Sequence, residues 1–243
     1  MIDFELLKSY AAEYGVELDE TALERFDGYA QILSEKSKVM NLTAIKEADD
    51  IVIKHFADSL SLLSFVSLEK GAKMLDVGTG AGFPGTSVLT ARPDLKVTML
   101  DSTKKKLDFI KEALDKIGLK AELVHARAEE AGQDKKYREK FDLVTARAVA
   151  NLRELCEYCL PFLKVGGTFA AMKGAITEEE LSEAEYAIGL LGGEIEKVNR
   201  FNLKNAGERT VIIIKKISQT PTKYPRPSAK IAKQPLDNSR KTK

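Results

Sequence analysis

The sequence predicts an α/β protein with a mostly parallel seven-stranded sheet, helices on both faces, an antiparallel hairpin at one edge and a helical cap before the sheet. From residue 71 onward, short apolar runs alternate with segments of helical periodicity, a pattern typical of parallel strands joined by helices. The last two apolar runs lie too close together for a crossover helix and should form an antiparallel hairpin. We therefore expect a helical cap over 1–70, a core over 71–217 and a tail over 218–243.

Apolar residues at helical spacing predict three helices in the cap. The first contains Leu6, Leu7 and Tyr10, the second runs from Leu23 to Leu33 behind Asp19 as its N-cap, and the third runs from Ile51 to Leu63 after Asp49 and Asp50. The segment 39–45 between the second and third helices is too polar for a core strand and too apolar for an ordinary linker. We expect it to dock near the functional site.

The core begins after Gly71, where the apolar runs become short enough for strands. Five runs should form the parallel part of the sheet and the last two the hairpin. The predicted strands are Met74–Val77, Val97–Leu100, Glu122–His125, Phe141–Ala146, Thr168–Met172, Glu194–Phe201 and Glu208–Ile217. From Lys223 onward the prolines predict an extended tail that becomes ordered on binding a partner.

Composition favours a soluble globular protein, since 44% of the 243 residues are apolar and 31% are charged. No apolar run approaches the roughly 20 residues of a membrane span, and acids stand near the N-terminus where a signal peptide has basic residues. We expect a cytoplasmic monomer with no membrane partner. Cys156 and Cys159 lack the second ligand pair of a zinc site, so we expect them to pack in the core, with no metal bound.

The charge is unevenly distributed although the net charge is only +1. The segment 215–243 carries nine basic residues and one acid, Asp237, which leaves the rest of the chain at about −7. A basic tail on an acidic body is typical of a protein that binds a polyanion. A solvated, disordered tail would have the same composition, so both interpretations stay open.

The segment Met74-Leu-Asp-Val-Gly-Thr-Gly-Ala-Gly-Phe-Pro-Gly85 predicts a cofactor-binding loop. Gly78, Gly80 and Gly82 allow a tight turn and a close approach of the backbone to a ligand. Part of the loop also satisfies the G-x-G-x-x-G pattern of NAD-binding proteins, which alone is weak evidence. Asp76 precedes the glycines by two positions, and its charge favours the sulfonium and ammonium groups of S-adenosylmethionine over a pyrophosphate.

Three further positions at the ends of predicted strands complete this pocket. Asp101 follows the second strand, where an acid accepts hydrogen bonds from ribose hydroxyls in either cofactor class. Ala128 and Glu129 follow the third strand and should flank an adenine, although the acidic pair Glu129 and Glu130 would also suit a helix start. Arg147 ends the fourth strand, at the edge where open α/β sheets bind ligands, with a surface salt bridge as the alternative.

Beyond the glycine loop, several segments have a more specific pattern. They are Asn41-Leu-Thr-Ala44, His55-Phe-Ala-Asp-Ser-Leu60, Ala146-Arg-Ala-Val-Ala150, Met172-Lys-Gly174 and Gly207-Glu-Arg-Thr210. With the loop, they resemble the bacterial small-subunit ribosomal RNA guanine-N7 methyltransferases, also called glucose-inhibited division protein B, over nearly the whole chain. Ala229 and Ile231 depart from that pattern, which has glycine and proline there.

The resemblance implies a class I S-adenosylmethionine-dependent methyltransferase with a Rossmann-like fold. It implies methyl transfer from S-adenosylmethionine to N7 of one guanine in small-subunit ribosomal RNA, with S-adenosylhomocysteine as product. The family's cofactor positions fall on Gly78, Phe83, the Asp101 region, Ala128 with Glu129, and Arg147.

The residues are consistent with this chemistry. An Asn/Asp-Pro-Pro-aromatic turn for amino-group methylation is missing after the fourth strand, and neither cysteine has a neighbour that would activate it for carbon methylation. Guanine N7 has a lone pair and no proton, so positioning suffices and no general base is needed. Arg147 is the candidate catalytic residue. His55 is the stronger histidine candidate for the site, with a core histidine as the alternative, and His125 should be structural.

Basic side chains around the cleft should bind the RNA. The candidates are Arg127, Arg147, Lys173, Arg209 and Arg226. A guanine in an A-form helix hides the edge that carries N7, so the substrate should be a loop or a flipped nucleotide. Two alternatives stay open: another class I methyltransferase acting on protein or a small molecule, and a nonenzymatic RNA-binding or redox protein with a dinucleotide fold.

Overall fold

A computed structural model describes residues 1–147 and 150–238. Its sheet has seven strands in the order β3-β2-β1-β4-β5-β7-β6. Strands β1 to β5 are parallel, and β7 runs antiparallel to both β5 and β6. The strands are β1 Lys73–Val77, β2 Lys96–Asp101, β3 Glu122–His125, β4 Phe141–Arg147, β5 Leu163–Lys173, β6 Gly193–Leu203 and β7 Gly207–Lys216. The predicted α/β fold, with its edge hairpin, is confirmed.

The central strands are apolar because helices cover both faces of the sheet. Leu75 of β1 and Leu143 and Val144 of β4 are no more than 1% exposed. Strands buried on both faces show continuous apolar runs in the sequence, which is why these strands could be predicted within one or two residues. Strand β5 begins five residues before its predicted start, since Leu163 already pairs with Phe141 ahead of a register shift.

Helices cover the sheet and precede it. They are α1 Phe4–Glu13, α2 Glu20–Ser37, α3 Ala48–Ile51, α4 Asp58–Leu60, α5 Gly85–Ala91, α6 Lys104–Lys116, α7 Ala128–Ala131, α8 Leu152–Cys159, α9 Glu178–Leu190 and α10 Ser228–Lys233. Asp19 caps α2 as predicted, because its carboxylate accepts a hydrogen bond from Ala22 N at 2.7 Å. None of the described helices is long and apolar enough to cross a membrane.

The third predicted helix is present but changes geometry along its length. After α3, residues Val52–Ala57 form a π-helical turn, and Ser61–Ser64 form a 3-10 turn after α4. Asp49 and Asp50 lie inside the first turn of α3 instead of before it. Because π-helical turns occur often at functional sites, the position of His55 within this one points to the region described below.

The apolar residues form a cluster on each face of the sheet. On one face the cap helices contribute Phe26, Tyr29 and Phe56. On the other, α8 contributes Cys156 and Cys159, which are free thiols with no exposed surface. Burial raises the pKa of both thiols, so they stay protonated and pack as apolar groups. The prediction that they belong to the core is confirmed.

The tail differs from the prediction. In its described part, 218–238, Tyr224 and Leu236 are buried and Ile231 of α10 has no exposed surface. The expectation of an extended segment that becomes ordered only on binding is wrong here, because apolar side chains anchor the segment to the core. Some of the nine basic residues are also part of the fold: Lys216 donates to Leu160 O at 2.9 Å, and Arg226 forms an ion pair with Glu157.

Candidate cofactor and RNA site

The glycine loop joins β1 to α5 and is held against the end of β2. The amides of Gly78 and Thr79 donate to Leu100 O at 2.8 and 3.0 Å. Gly78 and Gly80 have φ values of 70° and 60°, a region that side chains disfavour. A Cβ atom at Gly80 would lie 3.9 Å from Gly78 O and meet nothing closer, so this backbone faces open space. The loop therefore presents bare main chain to open space where the sequence predicts a bound ligand.

Gly82 has a different reason to be glycine. Its φ is 87°, and a Cβ atom there would collide with the Tyr29 hydroxyl and lie 2.7 Å from Thr86 Oγ1. Tyr29, from α2 of the cap, donates to Ala81 O at 2.8 Å. The third glycine therefore lets the helical cap pack on the loop.

Asp76 lies beneath the loop and not in its cavity. Its Oδ2 accepts hydrogen bonds from Thr79 Oγ1 at 2.6 Å and from Gly85 N at 2.9 Å. Its Oδ1 is buried without a hydrogen-bond partner among the described residues. Burial raises the pKa of this carboxyl group to about 6, so it is mostly ionised at neutral pH. Asp76 therefore shapes the loop, and its carboxylate does not reach the cavity in which the sequence predicts a cationic ligand.

Asp101, at the end of β2, connects the loop to the following helix. Its Oδ2 accepts from Gly80 N at 3.0 Å and its Oδ1 from Thr103 N at 2.8 Å. A carboxylate has about four acceptor positions, so each oxygen can accept one more hydrogen bond. Asp101 therefore keeps acceptor positions free at the edge of the sheet where the sequence predicts a ribose contact.

A cavity of about 580 Å³ lies over the carboxyl ends of β1, β2, β3 and β4. This volume falls within the roughly 300–1,000 Å³ range of small-molecule sites. It brings together six of the predicted cofactor residues, Gly78, Gly80, Asp101, Ala128, Glu129 and Arg147, and also Arg127. Sequence reasoning missed Lys106 on α6, Glu154 and Tyr158 on α8, and Ser228 on α10, which line it too.

Phe83 is the second predicted cofactor residue that does not line this cavity. Its ring stacks on the His55 ring, with centroids 4.5 Å apart and planes 7° from parallel. The Arg147 guanidinium lies 5.3 Å from the same ring, within range of a cation–π contact. Phe83 therefore packs against His55 and Arg147 and holds both side chains in place beside the cavity.

His55 is held neutral. Its Nε2 lies 2.8 Å from Thr43 Oγ1, and its Nδ1 lies 3.3 Å from Arg147 Nη2. Since Arg147 can only donate, Nδ1 must accept and Nε2 must carry the proton. Burial and the charge of Arg147 lower the pKa of His55 to about 3. The contact with Thr43 also confirms that segment 39–45 docks near the site.

Asp58, on α4, joins two arginines from distant strands. Its Oδ2 accepts from Arg147 Nη1 at 2.9 Å and its Oδ1 from Arg209 Nε at 2.8 Å. Strand pairing brings the two arginines together, because β5 lies between β4 and β7 in the sheet. The last residue of β5, Lys173, pairs with Thr210, which directly follows Arg209 at the start of β7. Sequence reasoning placed Asp58 within a motif but did not predict it as a site residue; its position close to His55 was the available signal.

These residues border a second cavity, of about 280 Å³, next to the first. Arg147 lines both. The charged side chains of the second cavity are Lys54, Asp58, Arg147, Lys173 and Arg209. Lys54 and Lys173 each pair with an acid, Asp50 and Glu180, at 2.8 Å. Since two arginines share one carboxylate, this cavity carries about one net positive charge.

The remaining predicted residues have other surroundings. Arg226 forms a bidentate ion pair with Glu157, so the structure gives it a partner within the chain in place of the expected RNA contact. His125 Nε2 lies 3.1 Å from Ser102 O, which suits its predicted structural role. Ala148 and Val149 of the Ala146–Ala150 motif, and the basic residues Arg240, Lys241 and Lys243, lie outside the described residues.

Comparison with known proteins agrees with this geometry. Residues 22–212 match the GidB family, described as rRNA small subunit methyltransferase G. The chain is 49% identical to the Ribosomal RNA small subunit methyltransferase G of Acetivibrio thermocellus, covering 95% of this chain and 96% of that protein. It is 47% identical to the protein of the same name from Lactobacillus johnsonii, covering 96% and 99%.

Solved structures show the same fold at low identity. Precorrin-6y C5,15-methyltransferase from Geobacter metallireducens is 20% identical with a TM-score of 0.52, covering 72% of this chain and 90% of that one. A SAM-dependent O-methyltransferase from Thermotoga maritima is 16% identical with a TM-score of 0.51, covering 78% and 72%. With the family match over most of its length, the chain belongs to the rRNA small subunit methyltransferase G family.

Proposed function

We propose that this methyltransferase-family protein transfers a methyl group from S-adenosylmethionine to N7 of a guanine in small-subunit ribosomal RNA. One observation carries the proposal: Arg147 stands between a cavity suited to the cofactor and a second, positively charged cavity. Two adjoining sites that share a wall are what transfer between two bound molecules requires. Family membership supports the choice of substrate.

The residues of the larger cavity fit an adenosyl group. Gly80 leaves room for close approach, Gly78 lines the same wall, Asp101 has acceptor positions for ribose hydroxyls, and Glu129 has a carboxylate for an exocyclic amine. When bound, S-adenosylmethionine would supply an electrophilic methyl group on a sulfonium. We propose Gly78, Gly80, Asp101, Ala128, Glu129 and Arg147 as its contacts, with Asp76 and Phe83 shaping the loop.

The smaller cavity fits the RNA. Its unbalanced positive charge, held by Arg147 and Arg209 around Asp58, favours a phosphate next to the target base. Arg127 lines the larger cavity and extends the basic surface, whereas Lys173 borders the smaller cavity but is balanced by Glu180. An accessible guanine in a loop, or one flipped out of a helix, could enter here.

Methyl transfer to guanine N7 requires no general acid or general base. N7 carries a lone pair and no proton, so positioning alone can lower the barrier, by up to about 7–11 kcal/mol in well-oriented systems. His55 is unsuited to general-base work, because its Nδ1 accepts from Arg147 and its pKa is lowered to about 3. We propose that Arg147 positions the substrate at the junction of the cavities, in a protein that works as a cytoplasmic monomer.

Methyl transfer from labelled S-adenosylmethionine tests the proposal. We expect label in the RNA of small-subunit particles or in naked small-subunit RNA, and chain cleavage at a single N7-methylguanine after chemical treatment. Gly80→Val is the inactive control. Label in protein or a small molecule would favour another class I methyltransferase, and binding of NADH instead of S-adenosylhomocysteine would refute the cofactor assignment.

A further inference from the structure

We propose that residues 218–238, the C-terminal strap, form part of the cofactor site by fixing two of its walls and supplying Ser228 as a lining residue. The inference rests on the proposed function for the identity of the ligand. It assigns Arg226 and Glu157 as positioning residues for the cofactor, in place of the RNA contact that the basic tail suggests.

The first wall is α8, which the strap fixes through a buried ion pair. Glu154 and Tyr158 of α8 line the larger cavity, and Glu157 lies between them in sequence with 1% of its side chain exposed. Glu157 Oε1 accepts from Arg226 N at 2.9 Å and from Arg226 Nε at 2.8 Å, while Oε2 accepts from Arg226 Nη2 at 2.6 Å. Three hydrogen bonds to one carboxylate tie the strap to α8.

The second wall is α7, which contributes Ala128 and Glu129 to the lining of the cavity. Directly after α7, Gln133 Nε2 donates to Pro225 O at 2.9 Å. A Cβ atom at Gly132 would lie 2.9 Å from Pro225 Cγ, so the strap packs closely on the end of this helix.

Arg138 completes the attachment of the strap below α7. Its Nη1 donates to Gly132 O at 3.0 Å and to Tyr224 O at 2.7 Å, and its Nη2 donates to Thr220 O at 2.7 Å. One guanidinium therefore joins the end of α7 to two points of the strap.

Beyond these anchors the strap reaches the cavity itself. Ser228, two residues after Arg226 and at the start of α10, lines the cavity with Gly78, Asp101 and Glu129. Ile231, one turn further on, is completely buried and holds α10 in place. Since the same segment joins α7 to α8 and borders the space between them, loosening it should widen the cavity and weaken cofactor binding.

Binding of S-adenosylhomocysteine by calorimetry, with Michaelis constants for both substrates, tests the proposal in the full chain. We expect Arg226→Ala to raise the Kd for S-adenosylhomocysteine and the KM for S-adenosylmethionine about tenfold, a typical size for coupling through a structure. The KM for RNA and kcat at saturating cofactor should change little, and Arg226→Lys should recover part of the affinity. Lys230→Glu with Lys233→Glu is the matched control, because both side chains are exposed on α10; it should bind the cofactor normally.

Ser228→Phe provides a second measurement that leaves the ion pair intact. A larger side chain at this wall should also raise the Kd for S-adenosylhomocysteine, so this variant decides the matter if Arg226→Ala does not fold. Wild-type affinity in folded Arg226→Ala, or in folded Ser228→Phe, would overturn the proposal, as would a raised KM for RNA alone. A wild-type protein that does not bind S-adenosylhomocysteine would instead refute the proposed function.

Discussion

Acidification should destabilise this protein through His55. In the folded state the imidazole is buried, lies 3.3 Å from the Arg147 guanidinium and has a pKa lowered from 6.5 to about 3. In the unfolded chain it returns to its ordinary value. As the pH falls below 6.5 the unfolded chain takes up a proton that the folded protein does not, so stability present above pH 6.5 is lost progressively toward pH 3.

The two pKa values give the magnitude. Between pH 7 and pH 5, His55 should cost about 2 kcal/mol of unfolding free energy. Asp76 acts in the opposite direction, because burial raises its pKa from 3.8 to about 6 and the folded state takes up that proton first. Protonation of Asp76 raises the unfolding free energy by about 1 kcal/mol between pH 7 and pH 5. The wild-type curve alone therefore understates the contribution of His55.

A matched variant separates the two groups. Urea unfolding of the wild type and of His55→Gln, at pH 7, 6 and 5, gives the stability difference between them at each pH. Asp76 is common to both proteins, so its contribution cancels in the difference. The stability advantage of the wild type should shrink by about 2 kcal/mol from pH 7 to pH 5. A difference that stays constant would refute the deduction that His55 is buried in the neutral form.

Three further predictions concern the loop, the arginine pair and the strap. Gly80→Val should abolish binding of S-adenosylhomocysteine in calorimetry by filling the open face of the loop. Both Gly80→Val and Gly82→Ala lose stability through their positive φ values, but Gly82→Ala should lower the unfolding free energy by a further ~1–3 kcal/mol because the cap packs there, and should keep more of the cofactor affinity; equal losses of cofactor affinity in the two variants would contradict the distinction. Asp58→Asn should reduce single-turnover methylation of RNA roughly a hundredfold through misplaced arginines, with a smaller loss of cofactor affinity because Arg147 also lines the cofactor cavity; near-normal turnover would show that the pair is not needed for positioning. Lys230→Glu with Lys233→Glu should weaken RNA binding and lower its salt dependence by about one unit for each phosphate that the variant no longer binds; unchanged binding at every salt concentration would exclude the strap as an RNA contact.

The parts of the fold that the sequence predicts well are those determined locally. Strands β1, β2 and β4 are recognisable because burial on both faces requires a mostly apolar run, and Gly78 and Gly80 because the turn requires positive φ values. Asp101 is predictable because parallel strands end at one edge of the sheet. In each case a few neighbouring residues determine the structure.

The parts that could not be predicted depend on distant partners. Arg226 looks like one more basic residue of a tail until Glu157, 69 residues earlier, is seen to lie buried beside it. Asp76 looks like a ligand for a cation, but its bonds to Thr79 and Gly85 turn it into the loop. Charge patterning in the sequence cannot distinguish a solvated arginine from a buried one.

The neutrality of His55 and the surplus charge of the arginine pair are two aspects of one arrangement. Asp58 offsets only one of the charges of Arg147 and Arg209, and His55 offers Arg147 a neutral acceptor. Protonated, His55 would become a third positive charge and could no longer accept from Arg147, so the guanidinium would lose a partner at the junction of the cavities. In the folded protein, however, His55 takes up this proton only near pH 3, because burial and the charge of Arg147 lower its pKa. The proton that costs folding free energy between pH 7 and pH 5 binds the unfolded chain, so Arg147 keeps its neutral acceptor in the folded protein over that interval. Methylation by the folded protein should therefore lose no activity in parallel with the stability advantage over His55→Gln, and an activity loss that follows that advantage from pH 7 to pH 5 would contradict this reasoning.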